Sequence, residues 1–285
     1  MITILAAATA AALAQTDTTV PVRSGARLEV NNFGGSIAVT TWAKSAVRVQ
    51  AEHSSRDRVQ VSGSEAVVSV KATGKYGPSQ VIDYVITVPT SMALALSGVY
   101  TDITVGGSQG EITAETVQGE VKVTGGSGFV SLRSVNGEVT LEKARGRITL
   151  NTVNEGITLR DASGDVAAET VNGDVRLERI ESGNVEANTV NGGISYDGTI
   201  KESGRYRFAT HDGDLDIAIP ENAGVAVSVS TFDGDFEACF PVTLTGKTKH
   251  RFSFTIGSGS ARLELESFNG DIKLCRPGRL KKEER

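Results

Sequence analysis

From about Val99 to Tyr196 the apolar residues return at a fixed interval of nine. The clearest marker is a turn, written five times: Val117-Gln118-Gly119-Glu120-Val121, Val135-Asn136-Gly137-Glu138-Val139, Val153-Asn154-Glu155-Gly156-Ile157, Val171-Asn172-Gly173-Asp174-Val175 and Val190-Asn191-Gly192-Gly193-Ile194. Its central positions Gly119, Gly137, Glu155 and Gly173 are 18 residues apart, and Gly192 follows after 19. A second series, Gly110, Gly128, Gly146, Gly164 and Gly183, falls midway between them. Counted from each marker, the second and fourth positions are apolar or small: Val139 and Leu141, Ile148 and Leu150, Val166 and Ala168, Val175 and Leu177. The positions between are mostly polar, such as Thr140, Thr149 and Arg176. That alternation is the period of a strand, because successive side chains of a strand point to opposite faces. The seventh position (Ala144, Val153, Val171, Ile180) is expected to turn inward at the corner. Each unit of nine is therefore a short strand plus a turn, and two units make one coil of 18 residues. The predicted fold is all-β: a parallel single-stranded β-helix, or β-solenoid, right-handed as crossover connections usually are.

In-register stacking puts equivalent positions about 4.8 Å apart. One column then carries side-chain amides, Gln118, Asn136, Asn154, Asn172 and Asn191. Another carries hydroxyls, Thr116, Ser134, Thr152, Thr170 and Thr189. Amide side chains in register hydrogen-bond to the copies above and below, so these columns are expected to be structural ladders rather than ligand sites.

Four regions follow. Residues 1–14 are apolar and alanine-rich, and Ala12-Leu13-Ala14 before Gln15 fits a signal-peptide cleavage site, although no Lys or Arg precedes the apolar run. Residues 15–97 alternate like strands without the nine-residue period, and are expected to cap the first coil, whose edge would otherwise be unpaired. Here Trp42 reads as a packing anchor and Gly74-Lys75-Tyr76-Gly77-Pro78 as an exposed loop tip. Residues 98–275 form the repeats, with longer coils after Tyr196. Residues 276–285 are a solvated, densely charged tail. Cys239 is four residues after Asp235 and Cys275 four after Asp271, the same slot of two motif coils. If those coils stack directly, the two cysteines form a disulfide, which export would permit.

Composition narrows the function classes. The net charge of −5 is mild and offers no basic footprint for nucleic acid. No stretch is long and apolar enough to span a membrane as a helix. Gly106-Gly107-Ser108-Gln109-Gly110 matches a nucleophile elbow, but a repeat strand follows where that motif needs a helix. His53, His211 and His250 stand in no partner motif, and no cysteine–histidine metal spacing occurs. Asp212-Gly213-Asp214 and Asp233-Gly234-Asp235 are acidic turns, yet they lack the multiple glycines of calcium rolls. No cofactor, metal or catalytic residue is expected.

The V-N-G-[ED]-V turns, Asn32-Phe33-Gly34-Gly35-Ser36-Ile37 with Trp42, Ser230-Thr231-Phe232-Asp233-Gly234-Asp235-Phe236 and Phe268-Asn269-Gly270-Asp271-Ile272 together carry a resemblance. The chain resembles the bacterial β-strand-repeat "putative adhesin" family, over essentially all of its length after the leader. The resemblance implies an exported or envelope protein and transfers no catalytic residue. The expectation is a non-enzymatic scaffold, periplasmic or on the cell surface, presenting a repetitive face to a glycan or an envelope protein. Two alternatives come from other classes: a carbohydrate-active lyase or hydrolase, which β-helices also host, and an envelope-stress sensing or assembly module.

Overall fold

The computed structural model describes residues 13–74 and 81–278. The predicted leader (except Leu13 and Ala14), the loop tip beyond Gly74 and the tail beyond residue 278 lie outside the described residues. Leu13 and Ala14 belong to the strand Leu13–Pro21, where they pair with Ser54 and His53. Among the described residues there are 25 strands and no helix, joined in one mostly parallel sheet that winds as a β-solenoid.

The repeat sets the register. Ser127–Arg133 lies on Arg145–Asn151 and this on Ser163–Glu169, each residue opposite its counterpart 18 further on. The strands of the alternate units stack likewise: Val121–Gly125, Val139–Glu142, Ile157–Arg160 and Val175–Ile180. The coil thus has two strand-bearing faces, with the apolar second and fourth positions of each unit between them. Val139, Leu141, Ile148, Leu150, Val175 and Leu177 are all buried in a single continuous core. Only neighbouring coils touch, so the core is built coil by coil.

The ends depart from sequential stacking. The early strand Arg27–Trp42 lies inside the stack, parallel to Ala93–Ser108 on one side and to Val67–Gly74 and Ile82–Pro89 on the other. Beyond these the pairing turns antiparallel: Ala46–Ser54 on Ile82–Pro89, Leu13–Pro21 on Ala46–Ser54, and Asp57–Gly63 on Val67–Gly74. At the other end Ala261–Asn269 inserts between Arg205–Asp212 and Val225–Asp233. The repeat alone places the Asp212 and Asp233 coils side by side; the chain instead returns to lay its last coil between them. The outer edge of Val225–Asp233 is then free to pair with the antiparallel strand Arg251–Ile256, which carries Leu244–Lys247 in turn. Antiparallel pairing occupies backbone groups that the last parallel strand would leave open.

The Tyr84 hydroxyl is buried inside the early coils with no hydrogen-bond partner among the described residues. Burial, with a smaller contribution from the Asp57 carboxylate, pushes this phenol up to about 12. A buried hydroxyl without a partner is destabilising, so Tyr84→Phe is expected to raise stability in urea by about 1 kcal/mol at neutral pH. The raised value also means that wild-type stability is intact below pH ~10 and falls as pH rises toward 12, a loss to which the Phe variant contributes nothing at this position. A urea midpoint that drops in Tyr84→Phe would show that the hydroxyl is satisfied.

Candidate functional site

The corner that carries the repeated turn is the most elaborated surface of the solenoid. Four columns run along it, one residue apart in the chain. The first holds Phe33, Val99, Val117, Val135, Val153, Val171, Val190, His211, Phe268 and Phe232, in spatial order. The second holds the amides, and the third the turn glycines. The fourth holds the acids Asp102, Glu120, Glu138, Asp174, Asp214, Asp271 and Asp235.

The amide column is a hydrogen-bonded ladder. Asn154 Nδ2 donates to Asn136 Oδ1 (2.5 Å), Asn172 to Asn154 (3.1 Å) and Asn191 to Asn172 (2.7 Å). It extends beyond the regular repeat, where Asn269 Nδ2 donates to Asp212 Oδ1 at 2.6 Å. The hydroxyl column is buried at the inner side of the corner, and its bonds run to backbone rather than from hydroxyl to hydroxyl. Thr152 Oγ1 donates to Gly137 O (3.1 Å), Thr170 to Glu155 O (2.9 Å) and Thr189 to Gly173 O (3.0 Å). Each hydroxyl thus ties a coil to the turn carbonyl of the coil before it. Thr152→Val keeps the shape but leaves that carbonyl without its donor, at an expected cost of about 1–3 kcal/mol in a urea melt. Thr149→Val, on the outer face, should stay within ~0.5 kcal/mol.

The structure corrects one expectation. Val153 and Val171 were expected to turn inward, yet Val171 is exposed and Val153 only half-buried; Val117 and Val190 are exposed as well. The inward corner residue is the preceding Thr or Ser. The hydroxyl reaches the buried turn carbonyl, which an apolar side chain could not satisfy, and the next side chain along an extended backbone must then point out. Ala144 and Ile180, at the other corner, do face inward.

The acids also have a structural task that sequence reasoning missed. Asp102 Oδ1 accepts from the Glu120 amide (2.9 Å), Asp174 from Gly193 (2.9 Å), Asp214 from Asp271 (2.8 Å) and Asp271 from Asp235 (2.9 Å). An aspartate at this slot therefore binds the peptide of the next coil, whereas Glu138 accepts from the Thr140 and Thr158 hydroxyls. The recurrence of Asp or Glu at that one slot was the available signal. Among the described residues no group of three or more acids, histidines or cysteines is arranged to hold a metal ion.

Rings extend the corner toward the last coils. His211 stacks on Phe268 (4.8 Å), Phe268 on Phe232 (4.8 Å) and Phe232 on His250 (4.9 Å). This order follows the inserted coil and could not be read from chain order. Toward the first coils, Phe33 and Tyr100 meet edge to face at 5.6 Å. There a depression of about 540 Å³ opens, lined by Tyr100, Asp102, Gln118, Glu120, Asn136 and Glu138 among others. The two cysteines are joined: Cys239 and Cys275 form a disulfide with Cα atoms 4.8 Å apart, between coils that pair directly through Phe236–Ala238 and Ile272–Cys275.

A comparison with curated proteins finds no match. Among solved structures, the chain aligns with a "putative cell adhesion protein" from Clostridium sporogenes at 10% identity, covering 93% of this chain and 100% of that one, with a TM-score of 0.27. It aligns with a "putative adhesin" from Parabacteroides distasonis at 10% identity, covering 72% and 93%, with a TM-score of 0.40. A "putative adhesin" from Bacteroides fragilis aligns at 15% identity, covering 93% and 98%, also with a TM-score of 0.40. Residues 168–275, in the later coils, match the family profile described as Toastrack DUF4097.

Proposed function

We propose that this is an exported, non-enzymatic binding scaffold of the cell envelope, periplasmic or on the surface, whose repeated corner engages a glycan or protein partner. One observation carries the reading: exposed or half-buried apolar groups, amides and, in most coils, carboxylates recur along a single corner. A long line of one chemistry suits an extended or repetitive partner better than a small substrate. The Cys239–Cys275 disulfide supports export, because such bridges persist in oxidising compartments. In this reading the solenoid is right-handed, and the antiparallel strands Leu13–Pro21, Ala46–Ser54 and Asp57–Gly63 cap its first coils.

The test is glycan-array and envelope-protein binding by the exported chain, run beside a polysaccharide-degradation screen. Stable binding without degradation is the expected result. Degradation without stable binding would overturn the reading in favour of a carbohydrate-active enzyme.

A further inference from the structure

We propose that the repeated corner is a docking line for an extended protein segment with apolar side chains along one edge and lysine or arginine along the other. The inference rests on the binding role proposed above and names the partner's chemistry.

The apolar rail comes first. Twelve large apolar side chains are exposed among the described residues, and seven of them stand on this corner: Phe33, Tyr100, Val117, Val171, Val190, Phe232 and Phe268. Their exposures run from 40% at Val171 to 59% at Phe232. Single exposed apolar residues are ordinary on a monomer; a contiguous line of them marks an interaction surface. From Phe33 to Phe232 the rail crosses nine coil steps, roughly 43 Å at the spacing of paired strands.

Charge complementarity selects the occupant. On the outer faces of the solenoid some acids are answered by arginines, Glu142 and Glu178 by Arg160, Asp161 by Arg179, and Glu186, Glu264 and Glu266 by Arg207. Others, such as Glu115, Asp165 and Glu169, form no ion pair among the described residues. The acid rail gathers acids of the second kind into one column. Of Asp102, Glu120, Glu138, Asp174, Asp214, Asp271 and Asp235, only Asp174 forms an ion pair among the described residues, with Arg176. An apolar rail beside a largely unanswered acid rail complements a two-sided cationic chain. It repels anionic glycans and lipids. A second copy laid antiparallel on the corner would set acid rail against acid rail, which opposes self-association. A neutral sugar would need an open ring face, but Phe268 and Phe232 stack on each other within 5° of parallel and are closed on their outer sides by His211 and His250. Tyr100, which meets Phe33 only edge to face, is the ring left to a sugar.

The test uses a labelled peptide of alternating leucine and lysine, with an alternating leucine and glutamate peptide as control, followed by fluorescence anisotropy with the full chain. The expected result is binding of the lysine peptide alone, weakened by salt. Val117→Ser/Val171→Ser and Glu120→Gln/Glu138→Gln should each weaken it about fivefold or more, with melting unchanged because these side chains are exposed. Glu111→Gln/Glu181→Gln alters the net charge equally but lies at the opposite corner, beside Gly110 and Gly183, and should change binding less than about twofold. Failure of the lysine peptide to bind, equal binding of the glutamate peptide, or an equal loss in the off-corner pair would each overturn the inference. Binding of a neutral oligosaccharide that Tyr100→Ala abolishes, without peptide binding, would overturn it and leave the scaffold reading standing. Self-association lost in Val117→Ser/Val171→Ser, again without peptide binding, would assign the corner to a second copy instead.

Discussion

Gly137→Ala is expected to cost more than ~4 kcal/mol, beyond the usual range for a single substitution and a large part of a typical domain's total stability. A β-carbon at Gly137 would lie 1.9 Å from the carbonyl oxygen and 2.4 Å from the carbonyl carbon of Gly119 in the preceding coil. Both atoms are backbone, and the same oxygen is held by the Ser134 hydroxyl at 3.0 Å, so neither can retreat without moving the coil. Because each coil contacts only its neighbours, the strain cannot spread, and the stack should weaken between these two coils. The check is a urea or thermal melt, with hydrogen exchange at Val121–Gly125 and Val139–Glu142 faster than at Leu215–Ala218. Glu155→Ala is the matched control. Glu155 already carries a β-carbon in the equivalent slot, with Gly156 following it, and its side chain is exposed, so its removal should change stability by less than ~0.5 kcal/mol. A Gly137→Ala protein as stable as wild type would mean that the corners are less closely apposed than described.

Removing the disulfide in Cys239→Ala/Cys275→Ala is expected to cost about 2–4 kcal/mol. The bridge closes a segment with a sequence separation of 36, and a loop of that length loses chain entropy worth roughly 4 kcal/mol in the unfolded state. The loss should be local. The bridge joins the outermost coil, containing Phe236–Ala238, to the returning coil of Ile272–Cys275. Without it that outer coil should exchange amide hydrogens first, while Ile157–Arg160 keeps its protection. Reduction of the wild-type protein should reproduce the effect. Equal melting of the oxidised and reduced protein would show that strand pairing alone holds the end coil.

Asn136, Asn154, Asn172 and Asn191 are legible as a ladder before any coordinates, because a period of 18 makes them neighbours and a side-chain amide can both donate and accept. The cysteine pair is legible for the same reason, since equal slots of stacked coils come within reach. Thr152, Thr170 and Thr189 are legible as a column but not in their bonding: periodicity places a hydroxyl above a hydroxyl, whereas the partner is a turn carbonyl. The apolar rail was missed because valine at a corner reads as core. At a corner, the residue that turns in is decided by which one can satisfy the buried backbone, and a shift of one residue exchanges the inside and outside of an extended chain.

By itself the sequence determined the nine-residue unit, the strands, the core positions within them, the amide ladder and the cysteine pairing. All follow from periodicity, because in-register stacking turns equal position into spatial contact. Only the tertiary structure decided the order of the coils at both ends, the outward course of Val117, Val171 and Val190, and the stacking of His211, Phe268, Phe232 and His250. The reason is that equivalent repeats present nearly equivalent edges. Any motif coil can pair with any other, so the local pattern does not distinguish a chain that continues outward from one that returns. The choice rests on which arrangement leaves the last strand an antiparallel partner, and that is a property of the assembled stack.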